Sequence, residues 1–427
     1  MIGASANQGP PAVRPWAAVV VMLVGFFMLM MDSNIVSVAN PTIQASLGAS
    51  LTQTIWVTSA YLLGVVVPLL LSGRLGDRFG QKTLFMIGMV VFTLASLWCG
   101  LATSIESLIA ARAVQGVGGA LMSPQTQAMI VRIFPPHRRG AAMGLWGTVA
   151  GIATLIGPVV GGLLVQQVGW QAIFLINVPV GIVGVILAWR LLPKLSRRTP
   201  RFDWVGMVLS GGGIFLVVFG LQEGTSKVWG PVWGWITIPQ IIIIGVVLLI
   251  AFVVHQNYAE QPLIPLRLFR DRDFSLANSA IFLVGAAIAG MSLPLLYFIQ
   301  VGRGYSPAVS AIFMMPSAVI SGILAPIIGR LIGRLSARRI AVFGLSCMAL
   351  TQAWYLLYLT PDSTIWWILL PSCLAGFGNA CMWSPIALSA THRLPPSDAG
   401  AGAGGGHPRR PQRAANGAAA RHTQMYP

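Results

Sequence analysis

Twelve apolar runs divide the chain, near 16–39, 54–72, 84–103, 107–131, 141–165, 172–192, 204–222, 234–254, 275–300, 308–329, 340–359 and 364–390. Each is about the 20 residues that an α-helix needs to cross the hydrocarbon core of a bilayer. In lipid every backbone N–H and C=O must be satisfied within the segment, so runs of this length have to be helices. Charged types make up only 9% of the 427 residues and hydrophobic types 56%, where a soluble domain carries about 25% charged residues. A soluble protein of this size has too little polar surface here to cover its outside. The predicted fold class is therefore all-α: a polytopic membrane protein, a helical bundle. The run after residues 1–15 is too long for a signal-peptide core and is read as a retained first helix.

The formal net charge is +17. It does not point to nucleic acid, because no basic face interleaved with aromatics exists to carry such a function. The charges fall in the gaps between runs. With a cytoplasmic N-terminus, twenty Lys and Arg lie in inside segments, among them Arg74, Arg78, Lys82, Arg132, Arg190, Arg267, Arg334 and Arg338, and only Lys227 and Arg303 lie outside. That bias fixes the orientation and checks the helix count. Trp16, Trp56, Trp98, Trp229, Trp233, Trp235, Trp366 and Trp367 fall mostly near run ends, as interfacial anchors do. The four cysteines sit within apolar runs without metal-ligand spacing and read as packing residues.

The chain repeats itself. Gly73-Arg-Leu-Gly-Asp77-Arg78-Phe-Gly80-Gln-Lys82 follows the second run, and Gly329-Arg-Leu-Ile-Gly-Arg334-Leu-Ser-Ala-Arg338 follows the tenth. Gly116-Val-Gly118-Gly-Ala120 in the fourth run matches Gly376-Phe-Gly378-Asn-Ala380 in the twelfth. Runs 9–12 thus copy runs 1–4, and parallel halves of this kind mark transporters. The expected organisation is a cytoplasmic N-terminus (1–15), a six-helix half (16–192), a linker with two inserted spans (193–273), an incomplete second half of four spans (274–400) and a tail (401–427). The tail is rich in Ala, Gly, Arg and Pro, and its abrupt change of composition reads as disorder or a frameshift that removed about two helices.

Two ionisable residues stand out. Asp32 is the one carboxylate well inside a run, and Arg112 the one Lys or Arg well inside a run. Charge at that depth is costly and is therefore paired or functional. The other acids read as loop charges. Glu106 is expected to cap helix 4, while Asp203, Glu223, Glu260, Asp271, Asp273 and Asp362 read as solvated.

Four motifs carry a resemblance to the major facilitator superfamily, and within it to the fourteen-span drug:proton antiporters. They cover roughly residues 15–400. The loop Gly73, Asp77, Arg78, Gly80, Lys82 resembles the superfamily's cytoplasmic gate motif, which implies a latch that stabilises the outward-facing state. Arg112, Gln115 and Gly116 resemble the helix-4 motif, whose Arg is linked to proton transfer. Gly147, Gly151, Gly157, Pro158, Gly161 and Gly162 resemble the helix-5 antiporter motif, which separates exporters from importers. Here Pro158 removes a donor and bends the helix, and the glycines form a smooth sliding face. Met31-Asp32-Ser-Asn34 through Pro41 resembles the helix-1 motif, with Met31, Asn34, Ser37 and Asn40 departing from the usual residues. Trp170, Phe174, Asn177 and Pro179 match the start of helix 6.

The resemblance implies alternating-access efflux of drugs or other amphipathic small molecules in exchange for protons. The implied location is the plasma membrane, with protons, substrate and lipid as partners, no cofactor and a monomeric state. Asp32 would bind the proton when the substrate leaves, and Arg112 would help set its proton affinity. The substrate cavity would lie between helices 1, 2, 4 and 5 and their repeat mates. A nutrient importer of the same fold and an inactive truncated remnant are the alternatives. No Ser/His/Asp cluster, metal quartet or phosphate loop appears, so an enzyme is not expected.

Overall fold

A computed structural model describes residues 15–391, apart from 196–202, 225–227, 234, 260–261, 264–265, 332–334 and 361. The tail at 401–427, the N-terminal residues 1–14 and Gly333 lie outside the described residues, as do some side chains within helices, notably in the first part of α5.

The chain is a helical bundle. The N-terminal half holds α1 (Pro15–Leu47), α2 (Leu51–Phe79), α3 (Gln81–Gly100), α4 (Ile105–Ile133), α5 (Pro136–Gln167), the single turn α6 (Ala172–Leu175) and α7 (Asn177–Leu191). Then come α8 (Trp204–Glu223) and α9 (Ile238–Tyr258), and finally α10 (Arg272–Tyr297), α11 (Pro307–Leu331), α12 (Ala337–Tyr358) and α13 (Trp366–Thr391). Each of the twelve expected runs coincides for most of its length with described helix. Among the described residues nine helices are long and apolar enough to cross a membrane.

Three local departures have physical reasons. The expected span at 234–254 starts late, because Pro231–Trp233 and Ile236–Thr237 pair as a small antiparallel ribbon, β1 and β2, before α9. The run at 172–192 is interrupted at Ile176, just ahead of Pro179, and becomes α6 and α7. Glu106 does not cap α4. Ser104 does, its hydroxyl accepting from the Ser107 amide, while Glu106 lies in the first turn and accepts from Gln53 (3.1 Å).

The repeat is visible in packing. A Cβ on Gly118 would press on Gly88 and Phe92 of α3, and one on Gly378 would press on Gly344 and Met348 of α12. The pair α3–α4 is thus copied by α12–α13. Likewise Gly116 packs on α2 and its mate Gly376 on Ser317 and Ile320 of α11. At Gly116 only glycine is possible, since any Cβ would collide with the Tyr61 carbonyl and Gly64. Such small-residue crossings are how helices associate where lipid supplies no hydrophobic drive.

The halves meet near the Leu47 end of α1. Tyr297 donates to Gln44 (2.7 Å) and Gln300 to the Val38 carbonyl (3.1 Å). A π-helical turn at Phe298–Gly302, just after Pro294, brings these residues to α1. Beside them a Cβ on Gly162 would lie 2.7 Å from the Pro307 carbonyl and 2.8 Å from Ala308 Cα, so α5 and α11 touch backbone to backbone.

Candidate functional site

The two ionisable residues singled out by depth lie together. Arg112 Nη1 donates to Asp32 Oδ2 at 2.5 Å, and both side chains are closed to solvent. Further hydrogen bonds surround the pair. Gln115 Oε1 accepts from Arg112 (2.7 Å), and Gln115 Nε2 donates to Asp32 Oδ1 (2.9 Å) and Ser96 Oγ (3.2 Å). Asn177 Nδ2 donates to the same Asp32 oxygen (3.1 Å) and the same serine (3.1 Å). Arg112 Nε donates to the Val57 carbonyl (3.2 Å), and the Tyr61 ring lies 4.1 Å from the guanidinium carbon. Such a pair loses little to screening, and its two charges are satisfied by one another and by polar neighbours.

Each member arrives for a local reason. Arg112 and Gln115 are three apart on α4 and share a face. Asp32 faces them from mid-α1. Ser96 lies in α3, where its hydroxyl donates to the Phe174 carbonyl of α6 (2.9 Å). Asn177 is the first residue of α7. The site therefore ties α1, α2, α3, α4 and α7 together and belongs to the N-terminal half alone. Asp32 faces the interior of that half and not an open cavity. Sequence reasoning finds Asp32, Arg112 and Gln115. It gives Ser96 and Tyr61 no role and places Asn177 only within a motif, although an Asn two residues before a proline inside an apolar run is the available signal.

The loop motif is spread over three jobs. Asp77 lies in the last turn of α2 and accepts from Gln81 (3.0 Å). Gln81 Oε1 in turn accepts from Arg132 of α4 (2.8 Å). Lys82 donates to the carbonyls of Trp189 (2.6 Å) and Leu192 (2.8 Å), capping the end of α7. Gly80, between α2 and α3, has φ +97°, which makes the tight turn. Gly73 is open on its Cβ side, and Arg78 is exposed, beside the Phe79 ring. These hydrogen bonds of Asp77, Gln81 and Lys82 join elements of the N-terminal half to one another.

On α5 the motif divides by face. Gly157 meets Asn34 and Met31 of α1, and Gly161 meets Ile35, while Gly162 meets α11. Pro158 lies within the helix, half-buried. Gly147 and Gly151 are in α5, with their surroundings outside the described residues.

Three acids read as solvated loop charges are instead held: Asp203, Glu223 and Asp271, the last capping α10 by accepting from the Phe274 amide (2.9 Å). Asp203 caps α8 through the Gly206 amide (2.8 Å) and also accepts from His255 (2.7 Å) and Gln256 (2.8 Å) of α9. Burial pushes its carboxyl upward, but these hydrogen bonds and the His255 charge hold it below the usual carboxylate value. Glu223, at the other end of α8, accepts from Trp56 Nε1 of α2 (2.6 Å).

A repeated helical bundle with an ion pair buried in its first half is the kind of architecture that membrane transporters have. The chain belongs to the Major Facilitator Superfamily, whose model matches residues 22–405. It is 48% identical over 392 residues to an uncharacterized MFS-type transporter, Rv1250, of Mycobacterium tuberculosis, covering 92% of this chain and 67% of that one. It is 35% identical to the tetracenomycin C resistance and export protein of Streptomyces glaucescens, covering 85% of this chain and 68% of that one. It is 34% identical to the putative multidrug resistance protein MdtD of Escherichia coli, covering 88% and 79%. The chain thus spans about two thirds of the length of the first two relatives. Among solved structures, a peptide transporter POT in complex with sulfate superposes with TM-score 0.66 at 17% identity, covering 94% of this chain and 86% of that one. The xylose transporter XylE of E. coli, in a partially occluded inward open conformation, gives 0.58 at 14% identity, covering 88% and 86%. These likenesses establish the fold.

Proposed function

We propose that the protein exports amphipathic small molecules, lipophilic cations among them, in exchange for protons by alternating access. The observation that carries this reading is the buried pair Asp32–Arg112 with its amide shell. An acid closed to solvent, whose two oxygens accept from Arg112, Gln115 and Asn177, is suited to exchange a proton only when the bundle opens around it. The glycine face on α5, against α1 and α11, supplies an interface that can slide. The names of the Streptomyces and Escherichia relatives agree with efflux. In this reading all twelve helical segments cross the plasma membrane, the N-terminus is cytoplasmic, the two halves meet at the outer side, and the Asp77 loop latches the cytoplasmic side in the opposite state. The protein acts as a monomer without a cofactor.

The test is uptake of ethidium into everted membrane vesicles energised by a proton gradient. Asp32→Asn is expected to abolish the proton-driven component while leaving the protein in the membrane. Undiminished transport by that variant would refute the assignment.

A further inference from the structure

The shell around Asp32 has one consistent arrangement, and it singles out one side chain. Arginine has no acceptor, so the Gln115 oxygen must face Arg112 and its NH2 must face Asp32 and Ser96. Ser96 has one proton, which it gives to the Phe174 carbonyl, so its lone pairs receive both amides. The Asn177 NH2 then completes the set. Every group facing the carboxylate is a donor. The titratable side chains around it are Arg112 of α4, Tyr61 of α2 and Cys99 of α3, whose thiol donates to Gln115 Oε1 (3.6 Å). α6 and the start of α7 bring none.

A proton that arrives from water on Asp32 meets donors at both oxygens. At Oδ2 it meets a guanidinium that keeps its charge. At Oδ1 it meets two neutral amides, which yield more easily. Gln115 cannot turn without presenting its NH2 to Arg112. Asn177 has no cationic partner among its described hydrogen bonds, so a half-turn of its amide places its oxygen against the new O–H. Ser96 then swings its hydroxyl from the Phe174 carbonyl to the same oxygen.

We propose that Asn177 is the positioning residue that reads the charge of Asp32: its amide turns when the acid takes a proton and passes the change, through Ser96, to the joint between α6 and α7. This rests on the reading of Asp32 as the proton site. Only an O–H bond forms, with a proton from water, and the same bond breaks when the proton leaves. The joint is coupled to α1 at a second point, because Trp170, one turn before Phe174, donates to Ser46 (3.0 Å). A proton at mid-helix thereby acts on the segment that holds the Leu47 end of α1.

The experiment needs no substrate. The full chain in detergent is titrated by infrared difference spectroscopy, following the C=O stretch of a protonated carboxyl. The wild type is expected to show a pH-dependent band that Asp32→Asn lacks. Asn177→Leu, which removes one donor to the carboxylate, should move the midpoint up by about one pH unit, a tenfold change in proton affinity. Ser96→Ala, which keeps Asn177 but unties the two amides, should move it the same way by less, and it serves if Asn177→Leu does not fold. Wild-type spectra should also show an amide side-chain band that changes with the carboxyl band and is lost in Asn177→Leu. If the Asp32 band is confirmed but neither variant moves the midpoint, the role of Asn177 is overturned and that of Asp32 stands. If the band persists in Asp32→Asn, the reading of Asp32 fails first.

Discussion

Arg112 reaches across the N-terminal half to place its Nη1 2.5 Å from Asp32 Oδ2, with neither side chain touched by solvent. A pair so enclosed is costly to break from one side only. Removing one partner of a buried pair typically costs about 3–5 kcal/mol, because the other charge is left unpaired. Arg112→Gln is therefore expected to lower the thermal unfolding temperature in detergent markedly. Adding Asp32→Asn should recover a large part of the loss, since no charge then remains. Thermal melts of the two single variants and the double variant form the cycle that measures this coupling. Additive effects would show that the two side chains do not hold one another.

Gly162 lies where α5 meets α11, and the contact leaves no room for a side chain. Gly162→Leu should therefore push the halves apart at the Leu47 end of α1 and break the Tyr297–Gln44 and Gln300–Val38 hydrogen bonds beside it. Spin labels at the exposed positions Ala45 and Val301 report that separation. Double electron–electron resonance is expected to give a longer distance in Gly162→Leu than in Gly162→Ala, which yields less. An unchanged distance distribution would mean that this crossing does not hold the halves together.

Lys82 belongs to the loop motif, yet its ammonium is spent on the α7 carbonyls of Trp189 and Leu192. A cation there satisfies groups that the helix end leaves unpaired and complements the helix dipole. Lys82→Ala should loosen the last turn of α7 by about 1 kcal/mol, seen as faster hydrogen exchange at 188–192. Lys82→Arg should restore most of the protection. Equal exchange in all three proteins would leave the lysine with a loop role only.

Asp203 gives a pH dependence. Its folded carboxyl is held below the ordinary value of 3.8 by the Gly206, Gln256 and His255 contacts, which outweigh the upward push of burial. A group whose folded value is depressed contributes stability that is complete above the unfolded value and is lost as pH falls through the folded one. The α8–α9 hairpin should accordingly be more resistant to proteolysis in the wild type than in Asp203→Asn at neutral pH. The two proteins should converge as the pH drops below about 4. The site is partly exposed, so high salt should narrow the gap as well.

Much of this architecture is legible in the residues themselves. The helical runs are set by length and apolarity, because a bilayer tolerates few alternatives, and the four-helix repeat shows in matched glycines whose spacing follows helix crossings. Asp32 and Arg112 stand out because charge at that depth is rare. The rest depends on which faces meet. Nothing in the spacing of Ser96, Asn177 and Gln115 says that three helices gather them beside one carboxylate, two of them donating to it and the serine tying those two. Asp203 and His255 are far apart in sequence and ordinary in composition, so Asp203 reads as solvated until α8 and α9 pack side by side. Glu106 misleads for a different reason: a serine two residues earlier is the better cap, since its short hydroxyl reaches the free amides of the first turn.

The inserted hairpin is fastened to α2 at both ends. Trp56 donates to Glu223 at one end, and at the other Arg74 Nη2 donates to the Pro262 carbonyl (2.9 Å) after α9. Between them Val67 of α2 packs where a Cβ on Gly211 of α8 would sit. The hairpin should therefore travel with the N-terminal half when the halves rock, not with α10–α13. Labels at Leu51 of α2 and Leu221 of α8, both exposed, are expected to keep one distance in acid and alkaline proteoliposomes, while the Ala45–Val301 distance changes. Glu223→Gln, which keeps the shape but weakens the acceptor, should broaden the first distribution without shifting the second. A Leu51–Leu221 distance that follows the Ala45–Val301 distance would show the hairpin moving on its own or with the other half.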